Sequence, residues 1–456
     1  MTVYRQIYQR LRTSIEEGKL RAGDRLPSAR ALASELGVAR GTVDAAYALL
    51  SGEGYVLSRG RGGTVVAPNL PLPSPGAGQR PQVATPQPAL EPQAAPRWTL
   101  LPGMPALDLF PRKIWSQVVS RRARGLSAAD LTAVDPRGSP ALRAAVAGYL
   151  AVARGVTCSP DQILVTGGYQ AALGLLLRLL LKPGSQVWTE DPGYRPTRRA
   201  IEAMGASPVA VPVDSEGMDV EAAMRLSPNA PLCIVTPAHQ FPLGGSLPLH
   251  RRLALLDWVR RTGGWILEDD YEGEFRHGGR ALPALKSLDR DDRVFYVGTF
   301  SKTLFPGLRL GYVVAPTAQA GRLAELLRWL EGGRPRFEQA VVADFIAEGH
   351  FARHLKRMRT AYDGRRTALA AAISETFGDD VHVDRAAGGL HLVVRLNTGA
   401  SDCALAARAA AAGLRPVPLS PMSWAGDQGQ GLLVGFGDTP ERAAQGVAEQ
   451  LRAAIA

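Results

Sequence analysis

Residues 298–312 read GTFSKTLFPGLRLGY, a stretch that holds Lys302 among small and hydroxyl side chains, with Arg309 seven positions on. The chain has only six lysines, at 19, 113, 182, 286, 302 and 356, in a total of 53 Lys+Arg. A lysine that attacks a carbonyl must be partly desolvated, so that its amine is neutral at working pH. Thr299, Ser301 and Arg309 are the donor types that a phosphate beside such an amine needs. The other five lysines lie in nondescript surroundings, which leaves Lys302 as the Schiff-base candidate.

Outward from this stretch, apolar strand-like runs at 162–166, 186–188, 232–236, 265–267, 294–297 and 311–315 alternate with helix-like segments. Such alternation argues for an α/β fold around a largely parallel sheet. Past Arg334 a long helical segment, short strands at 391–396 and 432–436 and a C-terminal helix predict a smaller α+β subdomain, about 334–456. Three segments of the larger part carry chemistry. In WILEDDYEGEF (265–275) a strand ends in Asp269, Asp270 and Tyr271, and Asp269 could pair with a pyridinium nitrogen. In ILVTGGYQAALGLL (163–176) two glycines lead from a strand into a helix, a cradle of backbone N–H groups for an anion. In EDPGYRPTRR (190–199) Tyr194 stands on a turn, suited to stack on a flat ring. With Lys302, these segments describe a site for pyridoxal 5′-phosphate (PLP).

The first 67 residues read differently. Ile7, Tyr8, Leu11 and Ile15 make one helical face that Gly18 ends. A second helix begins at Ser28 and stops at Gly37, and a third runs from about Arg40 to Ser51. Short helices joined by a tight Gly-containing turn are the helix-turn-helix pattern, whose second helix enters the major groove of double-stranded DNA. YVLSRGRGGTVV (55–66) then predicts a β-hairpin wing. Arg40 and Thr42, at the start of the third helix, are placed to reach base edges, and Arg59 and Arg61 on the wing a minor groove or phosphates. This module carries ten Lys/Arg against six Asp/Glu.

Residues 68–97 hold nine prolines and two glycines and almost no large apolar side chain. They predict an extended, polyproline-like linker that at about 3.1 Å per residue reaches on the order of 90 Å. The expected division is therefore 1–67, 68–97 and 98–456. The net charge of +11 raises the expectation of an anionic partner. Three scattered cysteines, Cys158, Cys233 and Cys403, allow neither a disulfide framework nor a zinc cluster. No secretory h-region opens the chain, and its longest apolar run is too short to span a bilayer. The expectation is a soluble cytoplasmic protein with no metal and no membrane partner.

LPSARALASELGVARGTVDAAYALLSGEGY (26–55), followed by GRGGTVV (60–66), resembles the winged-helix domain of GntR-type transcription factors. That resemblance implies DNA contacts from Ser28, Arg30, Arg40, Thr42 and the wing Gly62 and Gly63; Ala39 stands where the family often has Ser. In the body, SKTLFPGLRLGY (301–312), EDDYEGEFR (268–276) and DPRG (135–138) resemble fold-type I aminotransferases, most closely the MocR/GabR subfamily, which joins the two domains. The resemblance implies an α+β winged helix-turn-helix joined by a Pro-rich linker to an α/β fold-type I aminotransferase-like domain, in a homodimer. Carried over, Lys302 would form the internal aldimine, Asp269 would pair with the pyridinium and Tyr271 would bond the ring O3′. Tyr194 would stack on the ring, while Gly168, Tyr169 (through its backbone), Gln170, Thr299 and Arg309 would hold the phosphate.

Two departures bear on activity. TPAHQFPLG (236–244) fills the slot of the aminotransferase NPTG-type motif with Phe241 at its Asn, leaving His239 or Gln240 as candidates to replace it near the cofactor. LLVGF (432–436) places Leu433 where aminotransferases carry the Arg that grips a substrate α-carboxylate. Arg195, Arg395 and Arg415 are the alternative carboxylate binders. The expected function is a transcriptional regulator that senses PLP, an amine or an amino acid and binds paired DNA half-sites. The alternative is a working aminotransferase with an attached DNA-binding domain.

Overall fold

The computed structural model describes residues 2–60, 63–68, 70, 99–132, 135–276, 283–384, 388–397, 399–426 and 429–455. Apart from residues 68 and 70, the expected linker lies outside the described residues, as do Arg61 and Gly62. The chain forms two compact units that divide near residue 94.

In the first unit, helix α1 (Val3–Glu16) buries Ile7 and Ile15. Helix α2 (Ala29–Leu36) is capped by Ser28, whose Oγ accepts the Ala31 N–H at 3.2 Å, and ends at Gly37 with φ 63°. Helix α3 (Arg40–Gly52) buries Val43, Ala46, Tyr47 and Leu50. Strands β1 (Val56–Ser58) and β2 (Thr64–Val66) pair antiparallel with Val56 opposite Val66, forming the wing. The inward faces of α1, α2, α3 and the wing meet in one apolar core.

The second unit is built on a sheet of β3 (Ile163–Thr166), β4 (Gln186–Asp191), β5 (Ser207–Asp214), β6 (Gly217–Met218), β7 (Leu232–Val235), β8 (Trp265–Asp270), β9 (Val294–Thr299) and β10 (Gly311–Val314), in the order β3-β10-β9-β8-β7-β4-β5-β6. Strands β9, β8, β7, β4 and β5 run parallel, while β10 is antiparallel to both β3 and β9. Side chains alternate between faces, as a pleated strand requires. Ile163, Val165, Tyr296 and Tyr312 join one core with the helices Pro140–Ala153, Arg336–Ala347 and His350–Phe377. Leu164, Phe295, Val297 and Val313 join another with the helices Tyr169–Leu180 and Thr317–Glu331. A sheet buried on both faces is why its strands read as nearly continuous apolar runs.

Strand β5 was not expected, because Pro208 and Pro212 weaken its strand signal; it lies near the sheet edge, where proline is tolerated. A smaller antiparallel sheet follows, β11 (Val381–Asp384), β12 (His391–Leu396), β13 (Val417–Pro418) and β14 (Gly431–Gly435), ordered β11-β12-β14-β13. Among the described residues no helix is long and apolar enough to cross a membrane.

Candidate cofactor site and nucleic-acid interface

The parallel strands β8 and β9 end at the same edge of the sheet, and the chain segments leaving them line a cavity of about 960 Å³. Gly168, Tyr169, Gln170, Tyr194, Asp269, Tyr271, Thr299, Lys302 and Arg309 all line it. Strand carboxyl ends are where open α/β sheets place their ligands.

Lys302 follows β9, and its Nζ donates to the Gly103 carbonyl at 2.8 Å. Burial lowers its amine below the ordinary lysine range, opposed by the charges of Glu272 and Asp269. Gly103 has φ 71°, a conformation that strains any side chain, and a Cβ there would lie 2.6 Å from Lys302 Nζ and 3.3 Å from Glu272 Oε1, so glycine suits the close approach of the amine. Asp269 is buried at the end of β8, where desolvation, then Asp270 and Glu190, push its carboxyl well above the usual range. Such a group holds a proton that it can share with a ring nitrogen. Its neighbour Asp270 points elsewhere and is locked structurally by Arg154 Nε at 2.7 Å and the Tyr296 hydroxyl at 2.5 Å.

Gly168 precedes the helix Tyr169–Leu180 with φ 90° and supplies no side-chain cap to its first turn, and a Cβ there would meet nothing within 4 Å. The Tyr169 hydroxyl is engaged with Thr197 Oγ1 at 2.8 Å. Arg309 adopts φ 50°, a left-handed conformation that costs a non-glycine residue about 1–3 kcal/mol. Tyr194 is 42% exposed on the cavity wall, edge-on to Tyr169 and Phe241.

The residues present fit PLP. The Tyr271 hydroxyl is buried in the wall with no hydrogen-bond partner among the described residues, an orphan that a ring oxygen would satisfy. His239 and Gln240 do not line the cavity, whereas Phe241 does. His239 sits behind Tyr271 and His391, with Nε2 4.0 Å from Glu272, and Gln240 Nε2 is bound to the Pro192 carbonyl at 3.0 Å. Leu433 is fully buried with Val393, Leu419 and Met422, and Phe241 and Val417 pack against that cluster. Of the three alternative arginines, Arg195 lines the cavity, Arg395 is paired with Asp384 at 2.8 Å and Arg415 is exposed.

Sequence reasoning missed Gly103, Glu272 and His391, all on the cavity wall. Glu272 lay inside a segment read only for Asp269 and Tyr271. Gly103 is 199 residues from its partner Lys302, with no local signal joining them. The ligand atoms of His239, Glu272 and His391 lie within 4.8 Å of one another.

On the first unit, Arg30, Arg40 and Arg59 are exposed and Thr42 is half-buried. Arg40 starts α3 and stands 3.4 Å from Asp44. Ala39 is the N-cap and supplies no side-chain bond, leaving first-turn N–H groups without a side-chain cap. The Arg59 N–H closes the wing on the Gly63 carbonyl at 2.8 Å. Arg25, not singled out from sequence, lies across Gly63, where a Cβ would come within 2.9 Å of its Nε.

A basic winged helix and a PLP-type cavity in one chain define a DNA-binding regulator with an aminotransferase-like domain. The gntR family of bacterial regulatory proteins matches residues 3–66, and aminotransferase class I and II matches residues 116–413. The chain is 37% identical to the probable rhizopine catabolism regulatory protein MocR of Rhizobium meliloti, over 99% of this chain and 94% of that one. It is 33% identical to the pyridoxine biosynthesis transcriptional regulator PdxR of Corynebacterium glutamicum, over 99% and 95%. Among solved structures it is similar to LysN, the α-aminoadipate aminotransferase of Thermus thermophilus complexed with N-(5′-phosphopyridoxyl)-L-leucine. That match has a TM-score of 0.72 and 29% identity, covering 79% of this chain and 92% of LysN. The chain belongs to the MocR subfamily of GntR transcriptional regulators. Its body is accordingly a PLP-binding domain.

Proposed function

We propose that this regulator senses PLP, or a small amine or amino acid taken up beside Lys302, and transmits the bound state to paired DNA heads. The observation that carries the reading is the convergence of nine candidate residues on one cavity while Leu433 is sealed in an apolar cluster. When bound, PLP supplies an aldehyde that condenses with amines and a ring that draws electrons from them. Lys302 provides the amine that holds it, Asp269 keeps a proton at the ring nitrogen, and Tyr271 donates to the ring oxygen. Tyr194 covers the ring face, and Gly168, Tyr169, Gln170, Thr299 and Arg309 hold the phosphate.

On DNA, Arg40 and Thr42 read the major groove, Arg30 and Arg59 meet phosphates, and the Gly63 turn lets the wing approach. The Ser28 oxygen accepts from its own helix, so its hydroxyl proton remains to donate to a phosphate. The active form is a homodimer in which two heads engage two half-sites, with avidity set by residues 68–97. A ligand shifts this equilibrium only by binding two states of the body with different affinity.

The intact set around Lys302 also suits a second reading, a working aminotransferase. Purified protein supplied with PLP, an amino donor and a keto acid separates the two. A sensor shows no sustained turnover; many turnovers per site at ordinary enzymatic rates would overturn the sensing reading.

A further inference from the structure

We infer that the small molecule admitted beside Lys302 is a primary amine carrying no carboxylate on its amine-bearing carbon; this rests on the PLP-binding reading above. Three features of the corner around Lys302 carry it. First, among the described residues the groups that surround the amine, the Glu272 carboxyl once it is ionised included, accept hydrogen bonds and offer few donors. The Gly103 carbonyl accepts from Nζ at 2.8 Å. Glu272 faces the same glycine from its Oε1, which is buried with no hydrogen-bond partner among the described residues, while its Oε2 accepts the Leu390 N–H at 2.9 Å. His391 lines the cavity with its Nε2 2.8 Å from the Pro242 carbonyl, a contact in which Nε2 must donate, so the neutral ring keeps Nδ1 as an acceptor. An acceptor-lined corner welcomes an ammonium and opposes a carboxylate, which is itself acceptor-only.

Second, the wall where a carboxylate clamp would be is apolar. Leu433 is fully buried, and the cavity surface there is formed by Phe241, Val417 and Met422. An α-carboxylate is tied to its amine through a single carbon, so it would lie against this wall or against Glu272. Either position strips its water without replacing it by a donor.

Third, among the described residues the Lys and Arg cations on the cavity wall besides Lys302 are Arg195, Arg199 and Arg309. Arg309 belongs with the phosphate donors, and Arg195 and Arg199 lie on the exposed side of the helix Arg195–Ala203. They are placed for an anionic group remote from the amine, so ω-amino acids fall inside the inferred class and α-amino acids outside it.

The test titrates PLP-loaded protein with matched pairs: cadaverine against lysine, ethanolamine against serine, and β-alanine against aspartate. Binding is read from the displaced visible absorbance of bound PLP and, independently, by calorimetry. At least one amine should bind about tenfold or more tightly than its α-carboxylated partner. An α-amino acid that matches or exceeds its partner amine in every pair, or the absence of binding by any amine while PLP absorbance is intact, would overturn the inference. Absence of the PLP absorbance from the outset would instead overturn the cofactor reading beneath it. Glu272→Gln should narrow the preference for cadaverine over lysine; an unchanged ratio would refute the part assigned to Glu272.

Discussion

Replacing Tyr271 by phenylalanine removes one oxygen atom and should move two quantities in opposite directions. The hydroxyl is buried in the cavity wall and has no hydrogen-bond partner among the described residues. A buried hydroxyl left unsatisfied costs about 1–3 kcal/mol, whereas removing it without changing shape leaves the packing intact. The PLP-free variant should therefore equal or exceed the wild type in stability, by up to about 3 kcal/mol in denaturant unfolding. With PLP bound, the wild-type hydroxyl gains a ring oxygen that the phenylalanine cannot serve. Losing a hydrogen bond to a charged acceptor amounts to about 1.5–3 kcal/mol, or roughly 10- to 150-fold in Kd. Unfolding of the PLP-free proteins and equilibrium titration of PLP absorbance measure the two effects separately. A variant that loses stability without PLP and keeps its PLP affinity would show that the hydroxyl serves the protein interior, refuting the placement of Tyr271 at the cofactor.

Four further outcomes are expected. Lys302→Ala should abolish the visible absorbance of covalently held PLP while residual noncovalent binding persists; an unchanged spectrum would mean another lysine reacts. Arg40→Ala should weaken operator binding by about 1–3 kcal/mol if the contact is to a base, or lower the salt slope by about one if it is to phosphate, with PLP absorbance preserved in both cases. Ala39→Ser should supply the missing N-cap of α3 and stabilise the DNA-binding unit by about 0.5–2 kcal/mol, read from its melting transition. Burial pushes the carboxyls of Glu190, Glu268 and Glu272 up from 4.5 to about 7. The folded state then holds protons that the unfolded state has released, so stability without PLP should fall as pH rises through that window. Melts that stay level or improve from about pH 5 to about pH 8 would contradict this assignment.

The architecture was legible wherever local pattern and burial agree. Strands buried on both faces read as unbroken apolar runs, and a helix that starts at a capping serine and stops at Gly37 announces both its ends. Strand β5 escaped because its prolines hide it; along Ser207–Pro212 it pairs with β4, and the short β6 meets only Val213 and Asp214, so the prolines sit near the sheet edge where they are tolerated. Residues that line the cavity stood out in the sequence where their chemistry is unusual in context: an isolated lysine, an acid ending a strand, glycines before a helix. What sequence could not supply was contact between distant segments. Gly103 beside Lys302, Glu272 beside the same glycine and His391 across the cavity meet only through the fold. His239 shows the opposite case, since its position in the motif suggested the cofactor while the fold sets it behind Tyr271 and His391.

A PLP-binding body and a DNA-binding head share one chain, and sensing requires that occupancy of the first change the affinity of the second. Protection of the DNA upstream of the protein's own gene, measured without PLP, with PLP, and with PLP plus cadaverine, tests that link directly. Two half-sites should be protected, with an affinity that changes about fivefold or more in at least one liganded state. Identical affinity in all three states, with PLP demonstrably bound, would contradict that link.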